Sequence, residues 1–285
     1  MSDVTVYGNY ETAWCPGCGN HDILAAAKKA FALCVLAPEK LLMVSGIGQA
    51  AKSPLYVGVN GFSGLHGRSL LAASGAKLAN PELTVVVESR DGCVYGEGGN
   101  HFMAAIRRNI NITVLVHNNG IYGLTKGQAS PTSTCHLSPQ SQPYGIVSHP
   151  FHPLSVALVL GAGFVARGFS GDHDNLPQLI ASAIKYPGFA LVDIVSPCVS
   201  FNKYNTFAWY KNHCQPLPED HDSGDRGQAL VQAEKWEEEI PLGILYKRPQ
   251  PTPTFESHFP QLGQGPLALA QTSKEALHNI QARFK

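Results

Sequence analysis

Five short apolar runs set the fold. "LLMVSG" (41–46), "LTVVVES" (83–89), "NITVLVHNN" (111–119), "GFVARG" (163–168) and "FALVDIV" (189–195) are separated by stretches of helical spacing. Runs this short and this continuously apolar suit strands buried on both faces, and their alternation with helices is the pattern of a parallel sheet. The predicted class is therefore α/β, a parallel sheet with helices on both faces. Helices are expected over "HDILAAAKKAFALC", with Asn20 as N-cap, from about His66 to Leu78, and over "NHFMAAIRRN". Residues 1–200 read as the main domain. After Ser200 the chain turns Pro-rich and holds one periodic segment, "ALVQAEKWEEEI", so residues 201–285 are expected as an irregular extension packing on the domain or on a partner subunit.

Charge and cysteine usage narrow the partners. Lys plus Arg equals Asp plus Glu at 21 each, which argues against nucleic acid or an anionic membrane surface and for small molecules and proteins. The apolar stretch "PLSVALVLGAGFVA" is too short to span a bilayer, and no signal-peptide order of charged then apolar residues opens the chain. A cytoplasmic location is expected. There an odd count of seven cysteines points to metal ligation and free thiols rather than disulfides. Cys15 and Cys18 form a Cys-x-x-Cys pair, while Cys34, Cys93, Cys135, Cys198 and Cys214 are scattered singly, so any four-thiolate site must be assembled by the fold.

In open parallel sheets, ligands bind beyond the carboxyl ends of the strands. Two polar clusters occupy such ends, "SRDGC" (89–93) and "HNNGIYGLTKGQASPTS" (117–133). Twenty-eight positions separate Asp91 from Asn119, room for one crossover helix, so the two side chains can emerge on adjacent strands. A carboxylate and an amide oxygen there suit magnesium, which binds few protein oxygens and takes the rest from phosphate and water. Gly92, Gly96, Gly98 and Gly99 would let the backbone approach a diphosphate and lead it to a helix N-terminus. The long segment 120–152, rich in Gly, Ser, Thr and Pro, reads as functional.

These words, with "GGNHFMAAIRRN", resemble the β subunits of 2-oxoacid:ferredoxin oxidoreductases over about residues 10 to 210. The resemblance implies thiamine diphosphate, its magnesium held by Asp91, Asn119 and the carbonyl of Ile121. Gly92, Lys126, and His66 and Arg68 of "LHGRS" then belong to cofactor binding. It also implies a 4Fe-4S cluster on Cys15, Cys18 and Cys198, while the position after "SGIG", commonly a fourth cysteine, is Gln49. Cys93 follows the next strand in sequence, and if the two strands are neighbours their tips lie about 5 Å apart. Cys93 is therefore expected as the fourth ligand, with Cys135 as second choice. Cys34 reads as a core residue.

One further departure is Arg90, where the family motif has glycine. A guanidinium at that place either removes the freedom of glycine or contacts phosphate. The implied reaction is reversible, coenzyme A-dependent oxidative decarboxylation of a 2-oxoacid, electrons passing to ferredoxin. The α subunit is expected to supply the glutamate that activates the thiamine. Lys52, in "GIGQAAKSP", is expected to read a second substrate carboxylate, favouring 2-oxoglutarate over pyruvate. A non-redox thiamine-dependent decarboxylase or transketolase-like subunit, or a degenerate partner-binding subunit, would share Asp91 and Asn119.

Overall fold

The computed structural model describes residues 3–284 apart from 136, 140, 237, 260–264 and 272. Five strands follow the five apolar runs: β1 (Leu41–Ser45), β3 (Thr84–Arg90), β4 (Thr113–Asn118), β7 (Phe164–Phe169) and β8 (Ala190–Val195). A short edge strand, β2 (Asn60–Ser63), pairs outside β1. Its polar, glycine-containing sequence gave no apolar run to find. The order β2-β1-β3-β4-β8-β7 is parallel throughout. β1 and β3 are direct neighbours, as are β3 and β4, so the two strand-end clusters emerge side by side.

Both faces are covered. Met43, Val86, Leu115 and Val192 pack with Ile23 and Ala27 of α1 (Asn20–Leu33) and Ile180 of α5 (Leu176–Ile184). On the opposite face, Val44, Val87, Val114 and Leu191 pack with α2 (Ser69–Ala79), α3 (Gly99–Arg108) and α4 (Pro153–Val159), through Leu70, Phe102 and Leu158. Successive residues of each strand thus enter different cores, the physical reason the runs are continuously apolar.

Two expectations change. Asn20 is the first residue of α1 rather than its cap, which is Gly19, and its side chain is free for longer-range bonds. The chain after Ser200 is more ordered than an irregular extension. It supplies α6 (Phe207–His213), α7 (Arg226–Glu234) and two strands, β9 (Cys214–Pro216) and β10 (Ile240–Lys247). β10 pairs antiparallel with β7, and β9 lies beyond it, extending the sheet to eight strands. Ala229 and Ala233 of α7 and Leu245 of β10 enter the α3-side core, so that "irregular" tail completes a core the first 200 residues leave open. An exposed terminal helix, α8 (Lys274–Ala282), follows. Among the described residues, no helix is long and apolar enough to cross a membrane.

Candidate functional site

The site lies at the carboxyl ends of β1, β3 and β4. Arg90 ends β3, Asp91 follows it, and Gly92–Glu97 forms a π-helical turn that leads into α3. Asp91 is fully buried. Its Oδ2 accepts hydrogen bonds from Ser130 Oγ at 2.5 Å and Thr132 Oγ1 at 2.8 Å, while Oδ1 has no protein partner. Burial pushes its pKa up, and the two hydroxyls, the nearby Arg90 and the Gly92 backbone N–H oppose that rise. A buried carboxylate with one oxygen anchored and the other bare is costly unless a cation meets it.

Asn119 is also fully buried, its Oδ1 accepting from Ile121 N at 3.3 Å and its Nδ2 unpartnered. Its carbonyl accepts from Asn202 Nδ2 at 3.2 Å, fixing the turn. Ile121 is buried in a small hairpin, β5 (Ile121–Tyr122) with β6 (Gln128–Ala129). These features fit a hard cation: Asp91 and Ile121 line one cavity, and Asn119 is bonded to Ile121 N.

The glycines serve close approach. Gly92 is packed so tightly under the Tyr122 ring that no Cβ fits, and a Cβ on Gly96 would lie 2.8 Å from Tyr122 Oη. The Tyr122 hydroxyl donates to Glu97 Oε2 at 3.0 Å. Nearby, His66 Nδ1 lies 3.1 Å from Glu97 Oε2, within ion-pair distance without hydrogen-bond alignment. His66, Arg90, Asp91, Ile121 and Tyr122 line one small cavity together with Gln49 and Cys93. Arg68 is exposed and bonded to His101 Nε2 at 2.9 Å. Lys126 is exposed at the hairpin turn with φ +66°, and Lys52, half-buried in the 3-10 segment Ala50–Tyr56, does not line the cavity.

Sequence reasoning missed the supports of Asp91. Thr132 Oγ1 lies 2.8 Å from Asn118 Oδ1, and Asn118 Nδ2 donates to Asp193 Oδ2 at 3.1 Å, where Tyr95 Oη also donates to Oδ1 at 2.8 Å. Burial pushes Asp193 up to about 6 against those bonds and the neighbouring Arg167. The word "QASPTS" held the only signal, two hydroxyls flanking a proline after a strand-end Asn.

The cysteines divide. Cys18, Cys15 and Cys198 share one neighbourhood: burial raises the Cys18 thiol, Cys198 and Cys15 add to the rise, and the Asn20 N–H and Arg90 guanidinium oppose it. Ser200 Oγ donates to Cys15 Sγ at 3.2 Å. Gln49 adjoins the pair through its carbonyl, which accepts from Trp14 Nε1 at 2.8 Å. Cys93 stands apart. Its sulfur is buried beneath Gly46 and accepts from Ile47 N at 3.4 Å and Gly67 N at 3.2 Å. Cys135 is exposed, bonded to Ser148 O at 3.6 Å. All seven cysteines are free thiols, and among the described residues no three His, Cys, Asp or Glu side chains close around a metal-sized space.

Residues 45–194 match the family described as thiamine pyrophosphate enzyme, C-terminal TPP binding domain. Residues 198–264 match the family described as the C terminal of the beta subunit of pyruvate ferredoxin oxidoreductase. The chain is 40% identical over 278 residues to subunit beta of 2-oxoacid:ferredoxin oxidoreductase 1 of Aeropyrum pernix, covering 92% of this chain and 87% of that one. The chain belongs to the β subunits of 2-oxoacid:ferredoxin oxidoreductases. This β subunit is also 43% identical over 192 residues to the 2-oxoglutarate oxidoreductase subunit KorB of Mycobacterium tuberculosis, covering 67% of this chain and 52% of that one. It superposes on the 2-oxoglutarate:ferredoxin oxidoreductase of Magnetococcus marinus, solved with 2-oxoglutarate, coenzyme A and succinyl-CoA bound. There the TM-score is 0.91 at 36% identity, over 100% of this chain and 96% of that one. An α/β thiamine-type fold and an oxidoreductase β subunit are thus both established for this chain.

Proposed function

We propose that this β subunit holds thiamine diphosphate, magnesium and an iron-sulfur cluster for the coenzyme A-dependent, reversible oxidative decarboxylation of 2-oxoglutarate, working with an α subunit and ferredoxin. The observation that carries the reading is the bare, buried Oδ1 of Asp91 beside Asn119 at adjacent strand ends. When bound, thiamine diphosphate supplies the electron sink for breaking the bond to the substrate carboxylate, and the cluster accepts electrons singly. Asp91, Asn119 and the Ile121 carbonyl would hold magnesium. The Gly92–Gly96 backbone would carry the diphosphate, with His66 and Glu97 at its rim and Arg68 and Lys126 reaching it from the exposed turns.

Cys15, Cys18 and Cys198 offer soft donors for three corners of the cluster, which supports an iron-sulfur group without supplying a fourth thiolate. The free state of all seven thiols fits a cytoplasmic, reducing setting. Glu97 is engaged by Tyr122 and lies on the diphosphate side, so the residue that activates the thiamine ring is assigned to the α subunit.

The test is anaerobic assay of the complex with its α subunit, following 2-oxoacid-dependent ferredoxin reduction with coenzyme A. Turnover with 2-oxoglutarate should exceed turnover with pyruvate; coenzyme A-independent aldehyde release without ferredoxin reduction would instead favour the non-redox decarboxylase. Lys52→Ala should weaken 2-oxoglutarate turnover selectively, since a charge-assisted contact is worth about 1.5–3 kcal/mol, or roughly 10- to 100-fold. Equal losses for both substrates would remove Lys52 from substrate choice.

A further inference from the structure

Polar side chains from three adjacent strands interrupt the apolar face that the sheet turns toward α3. Val116 of β4, Val165 of β7 and Leu191 of β8 enter the core on that face, so by strand alternation Asn118, Arg167 and Asp193 project from it as well. Register brings them together. Asp193 pairs with Arg167 across the β7–β8 ladder and with Val116 across the β4–β8 ladder, which sets Asn118 one pleat further on. None of the three is more than 4% exposed.

A carboxylate only accepts hydrogen bonds, and that fixes the amide beside it. Asn118 Nδ2 donates to Asp193 Oδ1 at 3.3 Å and Oδ2 at 3.1 Å, so Asn118 Oδ1 is turned the other way and lies 2.8 Å from Thr132 Oγ1. The Thr132 hydroxyl is also 2.8 Å from Asp91 Oδ2. It has one proton for two acceptors. Ser130 Oγ donates to the same Asp91 oxygen, while Asp91 Oδ1 stays bare. On the far side, Arg167 balances the Asp193 charge, and its NH1 and NH2 donate to the carbonyls of Lys235 and Ala233 in the C-terminal segment. Trp236 of that segment lines one cavity with Asn118, Thr132, Arg167 and Asp193.

We propose that Asp193 is a positioning residue for the thiamine-diphosphate site. It sets the direction of the chain Asn118–Thr132–Asp91, drawing the Thr132 proton toward Asn118 and leaving the charge of Asp91 for the cation that carries the diphosphate. This rests on the cofactor reading above. Asp193 acts only through these neighbours, since it does not line the cavity that Asp91 lines. An amide in its place would reverse the chain: it can donate to Asn118, which then presents Nδ2 to Thr132, whose proton goes wholly to Asp91 Oδ2. The Arg167 charge is also left unbalanced. Both changes weaken the hold on a cation.

The experiment uses the complex with its α subunit, in wild-type, Asp193→Asn, Asp193→Asn/Asn118→Asp and Tyr95→Phe forms. Thiamine-diphosphate affinity is read by equilibrium dialysis at fixed magnesium, and the melting temperature is measured without cofactor. Asp193→Asn should weaken binding at least about tenfold, the worth of one charge-assisted hydrogen bond. In the double variant the new amide donates to the new carboxylate, which again accepts the Thr132 proton, so affinity should return to within about threefold of wild type. Tyr95 Oη donates to Asp193 Oδ1 at 2.8 Å, so Tyr95→Phe removes a bond to the same carboxylate without reversing Asn118. It should lower the melting temperature and keep the affinity. Unchanged affinity in Asp193→Asn overturns the proposal. An equal loss in Tyr95→Phe, or a loss that a folded double variant does not recover, also overturns it and marks Asp193 as structural. Where the double variant does not fold, the comparison of Asp193→Asn with Tyr95→Phe decides alone. Failure of the wild-type complex to bind thiamine diphosphate defeats the cofactor reading itself, and the inference with it.

Discussion

Asp91→Ala abolishes retention of thiamine diphosphate by the purified complex. Asp91 supplies a fully buried carboxylate at the strand ends beside Ile121, and its Oδ1 has no partner. Removing one member of a buried charge pair costs about 3–5 kcal/mol, which weakens cofactor binding more than about 100-fold. Asp91→Asn keeps the shape and the bonds from Ser130 and Thr132 but not the charge, so it separates electrostatics from packing. Equilibrium dialysis with magnesium and thiamine diphosphate reads the result. Affinity within about threefold of wild type in both variants would remove Asp91 from the metal site.

Cys18→Ala and Cys198→Ala each strip the complex of its cluster, while Cys34→Ala and Cys214→Ala leave iron content unchanged. The first pair belongs to one thiol neighbourhood. Cys34 instead packs against the α1-side core and Cys214 against the small core of Phe169, Val195, Tyr210 and Ile240. Cys93→Ala is the informative control. Its sulfur already accepts two backbone N–H groups, so the variant should keep its iron. It should lose about 1–3 kcal/mol of stability from the stranded donors, seen as a lower melting temperature. Loss of iron with an unchanged melting temperature would restore Cys93 as fourth ligand. Iron counting and electron paramagnetic resonance on anaerobic samples check the set, and an intact cluster in Cys18→Ala would remove the paired cysteines from it.

The short apolar runs were enough to place β1, β3, β4, β7 and β8, because strands buried on both faces are apolar at most positions. They were silent about β2, whose exposed polar residues satisfy no such demand, and about β10, whose "IPLGILYK" breaks its run with Pro and Gly. Asp91 and Asn119 were legible because the length of one crossover helix fixes how far apart two neighbouring strand ends lie in sequence. Their hydroxyl supports, Ser130 and Thr132, were not, since nothing in a loop sequence fixes where the loop returns.

Five of the eight strands, the strand ends beside the candidate site and the residue types there were thus readable along the chain. Which way each residue leaves its strand end was readable only in the folded chain. Arg90 and Asp91 are adjacent in the chain, yet one bonds Asn20 on the α1 side and the other Ser130 and Thr132. Cys93 follows β3 as Gln49 follows β1, and its sulfur is met by the Ile47 and Gly67 N–H groups, contacts that no sequence spacing announces. Proximity along the chain bounds distance, whereas direction follows from register and from the turn after the strand, and those are fixed by the cores the strand enters.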